Sequence, residues 1–201
     1  DLSNKDSSEI YFCKAIKISY SEEFNCDQYV LNLNKCIQFT NDSLLKCFSL
    51  LRIGEPELES YWGCKAEYNH SIKYYNKALN SANDYPDVKF LIHMQKAYFY
   101  WSQLSNYREA IDEYSLAQRT QPSKKHFVHA QKAIMFESIG NYEDAMDNWI
   151  NAIEFCRKFT LDSLDLSNLY FRKGTLEKTL KKYSQARYSL QQSVRYTNEN
   201  S

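Results

Sequence analysis

One six-residue string recurs along this chain and limits what it can fold into. Asn106-Tyr107-Arg108-Glu109-Ala110-Ile111 returns 35 residues later as Asn141-Tyr142-Glu143-Asp144-Ala145-Met146, and the following Tyr114 and Ala117 return as Trp149 and Ala152. A period of this length holds one helix pair, a unit that cannot bury its apolar face alone and is stabilised by stacking on its neighbours. A third copy runs from Lys182-Tyr183-Ser184-Gln185-Ala186-Arg187 to Leu190 and Ser193, with the spacing stretched to 41 residues in the segment 159–165. A weaker fourth copy, Tyr68, Ser71, Ile72, Tyr75 and Ala78, lies 39 residues before Tyr107. Within each copy an aromatic, a small residue three on, a large residue four later and a small residue three after that fall on one helical face. The small residues let helices approach closely and the large ones fill the space between pairs.

Composition agrees with helices. The 201 residues hold only 4 Gly and 3 Pro, too few for a turn-rich β architecture. Breaks fall at Leu104-Ser105-Asn106, Pro122-Ser123, Ile139-Gly140-Asn141 and 180–184, and Pro56 and Pro86 are placed to begin helices. Upstream, a helix capped by Ser7 or Ser8 precedes a break at Ser21-Glu22-Glu23, an amphipathic helix occupies 25–40, and 44–53 reads as deeply buried. The expectation is about eleven antiparallel helices: an N-terminal helical cap or degenerate repeat over 1–55, repeats at about 56–85, 86–122, 123–158 and 161–197, and a frayed tail at 198–201.

The pattern resembles the tetratricopeptide family. Met94, Ala97, Trp101, Tyr107, Ala110, Tyr114, Ala117 and Pro122 stand in family positions, followed by Ala133, Phe136, Tyr142, Ala145, Trp149 and Ala152, then Tyr170, Gly174, Leu180, Tyr183 and Ala186. His129, Lys132 and Arg157 depart from it. The resemblance covers about 56–197 and implies an all-α, right-handed α-solenoid whose work is to hold a protein or peptide as an adaptor or scaffold. Such stacks expose the first helix of each repeat along a groove. In this register the groove residues are Gln95, Lys96, Phe99, Gln103, Phe127, Gln131, Ile134, Asn168, Phe171 and Arg172. The amides suit a peptide backbone, the phenylalanines offer apolar pockets, and Lys96 and Arg172 suit a carboxylate. Some members hold a partner's C-terminal carboxylate with a fixed Lys, Asn and Arg set, which Lys96, Gln131 and Arg172 only approximate.

Nothing in the sequence points to catalysis, a metal or a cofactor. Phosphate-loop, zinc-helix, nucleophile-elbow, paired-cysteine and calcium-loop motifs are all missing. His126 and His129 share a helix face without a Cys or carboxylate at matching spacing, and Asp112-Glu113 and 144–147 read as a solvated face. Lys plus Arg equals Asp plus Glu at 25 each, so no net positive field favours nucleic acid. No apolar run is long enough to span a bilayer. Six cysteines without a C-x-x-C pair read as buried, reduced thiols of a cytoplasmic, soluble protein. The chain opens on Asp1 rather than Met, as a processed chain or a piece of a longer protein would. Two further readings follow. One is a peptide-sensing module of a larger bacterial regulator, resembling the repeat domains of quorum-sensing regulators; the other is a homodimer formed through the terminal repeat at Phe171, Leu190 and Tyr196.

Overall fold

The computed structural model describes residues 4–21, 24–55, 68–82, 84–159 and 163–198. These form ten α-helices and one 3-10 turn, with no strand among the described residues. The chain divides into two compact units, Asp1–Asn106 and Tyr107–Ser201. The helix expected to start at Pro56 lies outside the described residues.

The first unit holds α1 (Asn4–Ser19), α2 (Cys26–Phe39), α3 (Ser43–Gly54), α4 (Tyr68–Ser81) and α5 (Pro86–Ser102). Local chemistry sets several boundaries. Asn25 Oδ1 accepts from the Gln28 N–H at 2.9 Å to start α2, and Asp42 Oδ1 accepts from Leu44 and Leu45 to start α3. Pro86 opens α5, where its missing N–H costs nothing. The proposed cap at Ser7 or Ser8 is corrected: α1 already runs through both, and Ser8 is buried. The α1–α2–α3 end packs around Ala15, Tyr29, Leu33 and Ile53. A second cluster joins α3, α4 and α5 through Cys47, Leu50, Leu51, Tyr75, Ala78, Ile92 and Phe99. Segment 44–53 is not buried all round. Leu44 and Leu45 are half-buried and Phe48 is exposed, because only one side of α3 meets these clusters. The cysteine expectation also divides: Cys36 and Cys47 are free and buried, Cys13 is free but exposed, and Cys26 is disulfide-bonded.

The second unit holds α6 (Tyr107–Thr120), the 3-10 turn Pro122–Lys124, α7 (Lys125–Ser138), α8 (Tyr142–Lys158), α9 (Ser163–Thr179) and α10 (Tyr183–Asn198). α7 with α8, and α9 with α10, are antiparallel pairs, and α9 also packs on α8. The repeat governs the turns as well as the faces. Two positions before the aromatic of the copies at Tyr107, Tyr142 and Tyr183, Ser105, Gly140 and Lys181 have φ of 51, 76 and 59°, the left-handed conformation that ends a helix. After α7 and α9 the bonds are those of a Schellman turn: Gly140 N–H to Glu137 O with Asn141 N–H to Phe136 O, and Lys181 N–H to Lys178 O with Lys182 N–H to Glu177 O. Only one of the three sites carries the glycine that adopts this φ without strain.

The expected seam is present. Ala110, Tyr114, Ala117, Ala145, Trp149 and Ala152 are all buried, and Trp149 sits in one core with Ala133, Ile153, Cys156, Leu166, Leu169, Tyr170 and Leu176. α10 lies so close on α9 that a Cβ built on Gly174 would stand 3.0 Å from Leu190 Cγ. The same interface buries an ion pair: Lys173 donates to Glu177, and Ser189 Oγ on α10 donates to the second Glu177 oxygen at 2.7 Å.

Candidate functional site

The expected groove residues fall into two groups by unit. In the first unit, Gln95 is exposed and lines a small cavity with Phe48, Leu51, Arg52, Glu55 and Tyr75, while Gln103 is exposed at the end of α5. Phe99 is a correction. It has 0% exposure and meets Tyr75 edge-on at 6.2 Å, so it serves the core and has no surface to offer a partner. Lys96, at 7%, is likewise covered rather than presented.

In the second unit several of the expected residues line one cavity. α7 and α9 present one face each, α7 through Phe127, Ala130 and Ile134 and α9 through Asp165, Asn168, Leu169 and Arg172. On α9 these positions follow the i, i+3, i+4, i+7 spacing that keeps four side chains on one side of a helix. Between the faces lies a cavity of about 190 Å³ floored by Trp149 of α8. Of the expected residues, Phe127, Ile134, Asn168 and Arg172 meet here; Gln131 is half-buried and Phe171 exposed, both on the same helices outside the lining. Phe127 keeps 49% of its surface exposed, large for an aromatic ring beside a core.

His126 and Asp165 complete the rim and were not among the expected contacts. Asp165 was placed in the stretched connection but stands in the first turn of α9. His126 Nε2 lies 3.8 Å from Asp165 Oδ2, and its ring stacks on Phe155 at 5.9 Å. Burial holds the His126 pKa below the usual histidine value, opposed by the Asp165 carboxylate. Its Nδ1 is buried and hydrogen-bonded to no described residue. His129 turns elsewhere, to Asn148 Oδ1 at 3.0 Å, and burial lowers its pKa too, with the Asn148 bond opposing. The two histidines thus meet different partners on α8. Among the described residues no group of His, Cys, Asp and Glu could hold a metal ion. None of the described helices is long and apolar enough to cross a membrane.

Chemically, the α7–α9 site pairs an apolar floor with a side-chain amide and a guanidinium at its open edge. That arrangement can take an apolar side chain while hydrogen-bonding the backbone or carboxylate that carries it.

No protein-family model matches the chain, and no curated protein does. Solved structures do. BtubC (BKLC) from P. vanneervenii superposes with a TM-score of 0.60 at 13% identity over 99% of this chain and 92% of that one. A MamA protein gives 0.60 at 12% identity over 97% and 94%, and MamA of MSR-1 gives 0.56 at 10% over 98% and 98%. At such identities the likeness concerns the fold: an all-α, tetratricopeptide-like arrangement of antiparallel helix pairs.

Proposed function

We propose that this protein is a non-enzymatic adaptor of the tetratricopeptide family, with repeats at about 56–85, 86–122, 123–158 and 161–197, and that its second unit holds a peptide segment of a partner between α7 and α9. The supporting observation is the cavity itself, where Phe127, Ala130, Ile134 and Leu169 surround a space of about 190 Å³ and Asn168 and Arg172 stand at its edge. Phe127 and Ile134 would receive an apolar side chain, Asn168 would bond the peptide backbone, and Arg172 would meet a carboxylate. A cytoplasmic setting suits the free thiols at Cys13, Cys36, Cys47 and Cys156; the bonded Cys26 is the observation against it.

Selection from a displayed random-peptide library against the whole chain tests this reading. Enriched peptides should share an apolar residue beside an acidic one or a free C-terminus. Their affinity should fall by about tenfold or more on Phe127→Ala and on Arg172→Glu, each a change at an exposed residue. Peptides that bind all three proteins equally, or no enrichment, would refute it.

A further inference from the structure

Among the described residues, α10 leaves exposed a face that its counterpart one repeat earlier has covered. On α8, Ile153 and Cys156 are buried in one core with Leu166, Leu169 and Tyr170 of α9. The 41-residue offset that carries Tyr142 to Tyr183 carries Ile153 to Val194. Val194 is 60% exposed, and beside it runs a cavity of about 550 Å³ lined by Lys178, Tyr183, Arg187, Leu190, Gln191 and Val194. Its walls are predominantly apolar, and the repeat itself shows what shape fits such a face. α9 covers α8 with apolar residues at 166, 169 and 170, the spacing of an amphipathic helix.

Charge says what kind of helix. From Tyr183 to Asn198, α10 contains no Asp or Glu, whereas Arg187 and Lys178 line the cavity and Lys181 and Lys182 lie at the turn beside it. Lys178 and Arg187 form no ion pair with a described residue, and the neighbouring carboxylate, Glu177, is already held by Lys173 and Ser189. A second copy of this face would set Arg187 and Lys178 against themselves, and like charges facing one another are unfavourable. Nucleic acid would find the charge but leave the apolar floor unused. We infer that this face docks an acidic amphipathic helix of another protein, with apolar residues at i, i+3, i+4 and i+7 over Leu190 and Val194 and Glu or Asp residues facing Lys178 and Arg187. The contact is separate from the α7–α9 groove and stands without it. Exposed ion pairs add little affinity, so the apolar residues hold the helix while the charges select it and speed its approach.

The test is fluorescence anisotropy on the whole chain with a designed, end-capped helical peptide that repeats the Leu, Leu, Tyr spacing of positions 166, 169 and 170 and carries Glu on its flanks. Expected are binding that weakens as salt rises, and losses of about tenfold or more on Val194→Glu and on Arg187→Glu. A second peptide with Lys for every Glu should bind the wild type poorly and recover on the Arg187→Glu, Lys178→Glu double variant. All these residues are exposed, and unchanged circular dichroism would exclude misfolding. The inference is overturned if the Glu and Lys peptides bind alike, if neither binds, or if Phe127→Ala rather than Val194→Glu abolishes binding. It is equally overturned if light scattering finds a dimer that Val194→Glu dissociates, or if duplex DNA binds and is lost on Arg187→Glu but not on Val194→Ala.

Discussion

Removing one member of the buried ion pair between α9 and α10 should cost far more than removing both. Glu177 is 2% exposed and accepts from Lys173 Nζ on one oxygen and Ser189 Oγ on the other; Lys173 also donates to Ser189 at 3.1 Å. At the 2.5 Å separation and an effective dielectric near 20, the attraction is roughly 6 to 7 kcal/mol. Withdrawing each ion from water costs several kcal/mol, so the intact pair contributes little net stability. The single variants differ because the partners differ in access to solvent. Lys173→Met strands a carboxylate whose side chain is 3% exposed, and should cost about 3–5 kcal/mol. Glu177→Leu strands an ammonium that is 17% exposed and borders an open cavity, so it can reach water, and should cost about 2–3 kcal/mol. The double variant should lie within about 1 kcal/mol of wild type, a coupling of several kcal/mol. Urea denaturation of the whole chain, followed by far-ultraviolet circular dichroism and tryptophan fluorescence, completes the cycle. Additive single costs, or a larger loss from Glu177→Leu than from Lys173→Met, would refute this account.

Trp149→Ala should leave a cavity at the centre of the second unit's core and cost about 3–5 kcal/mol, and Ala145→Leu should overpack the same seam by about 1–3; unchanged melting of both would refute the register. The left-handed turns give a reciprocal pair: Gly140→Ala should destabilise by about 1 kcal/mol, whereas Lys181→Gly should stabilise by up to about the same, read from thermal unfolding. Acid should weaken the fold through His126 and His129. Burial lowers both pKa values, so below about pH 6.5 the unfolded chain takes up protons that the folded chain does not, and stability falls as pH drops through that range. Denaturation midpoints at neutral and mildly acidic pH should diverge less in the His126→Gln, His129→Gln variant than in wild type; an equal pH dependence would place the effect elsewhere.

The helices were legible wherever a local rule decided them. Asn25, Asp42 and Pro86 begin helices for reasons contained in a few neighbouring residues, and the aromatic–small alternation at Tyr107 and Tyr142 marks which face is inward. The cap of α1 was misjudged because Ser7 and Ser8 have as much capping chemistry as residues nearer its start. Exposure along the expected groove positions was not legible. Register assigned Phe99 and Phe127 to the same kind of position, yet one is sealed against Tyr75 and the other stands half in solvent. Periodicity reports which side of a helix a residue occupies, not how much of that side a neighbour covers.

By itself the sequence determined the class of fold, the repeat, the helix-ending positions and the buried seam, because each depends on contacts within one helix or between copies of one pattern. Tertiary structure alone decided which parts of the repeated faces stay open. His126 met Asp165 because α9 begins early enough to bring that carboxylate across from α7. Lys173 and Glu177 became a buried pair because Ser189 of α10 closed over them, and Val194 remained exposed where Ile153 did not because α9 covers α8 while no described helix covers the same face of α10. Burial is a property of what lies opposite, and a single chain position carries no record of it.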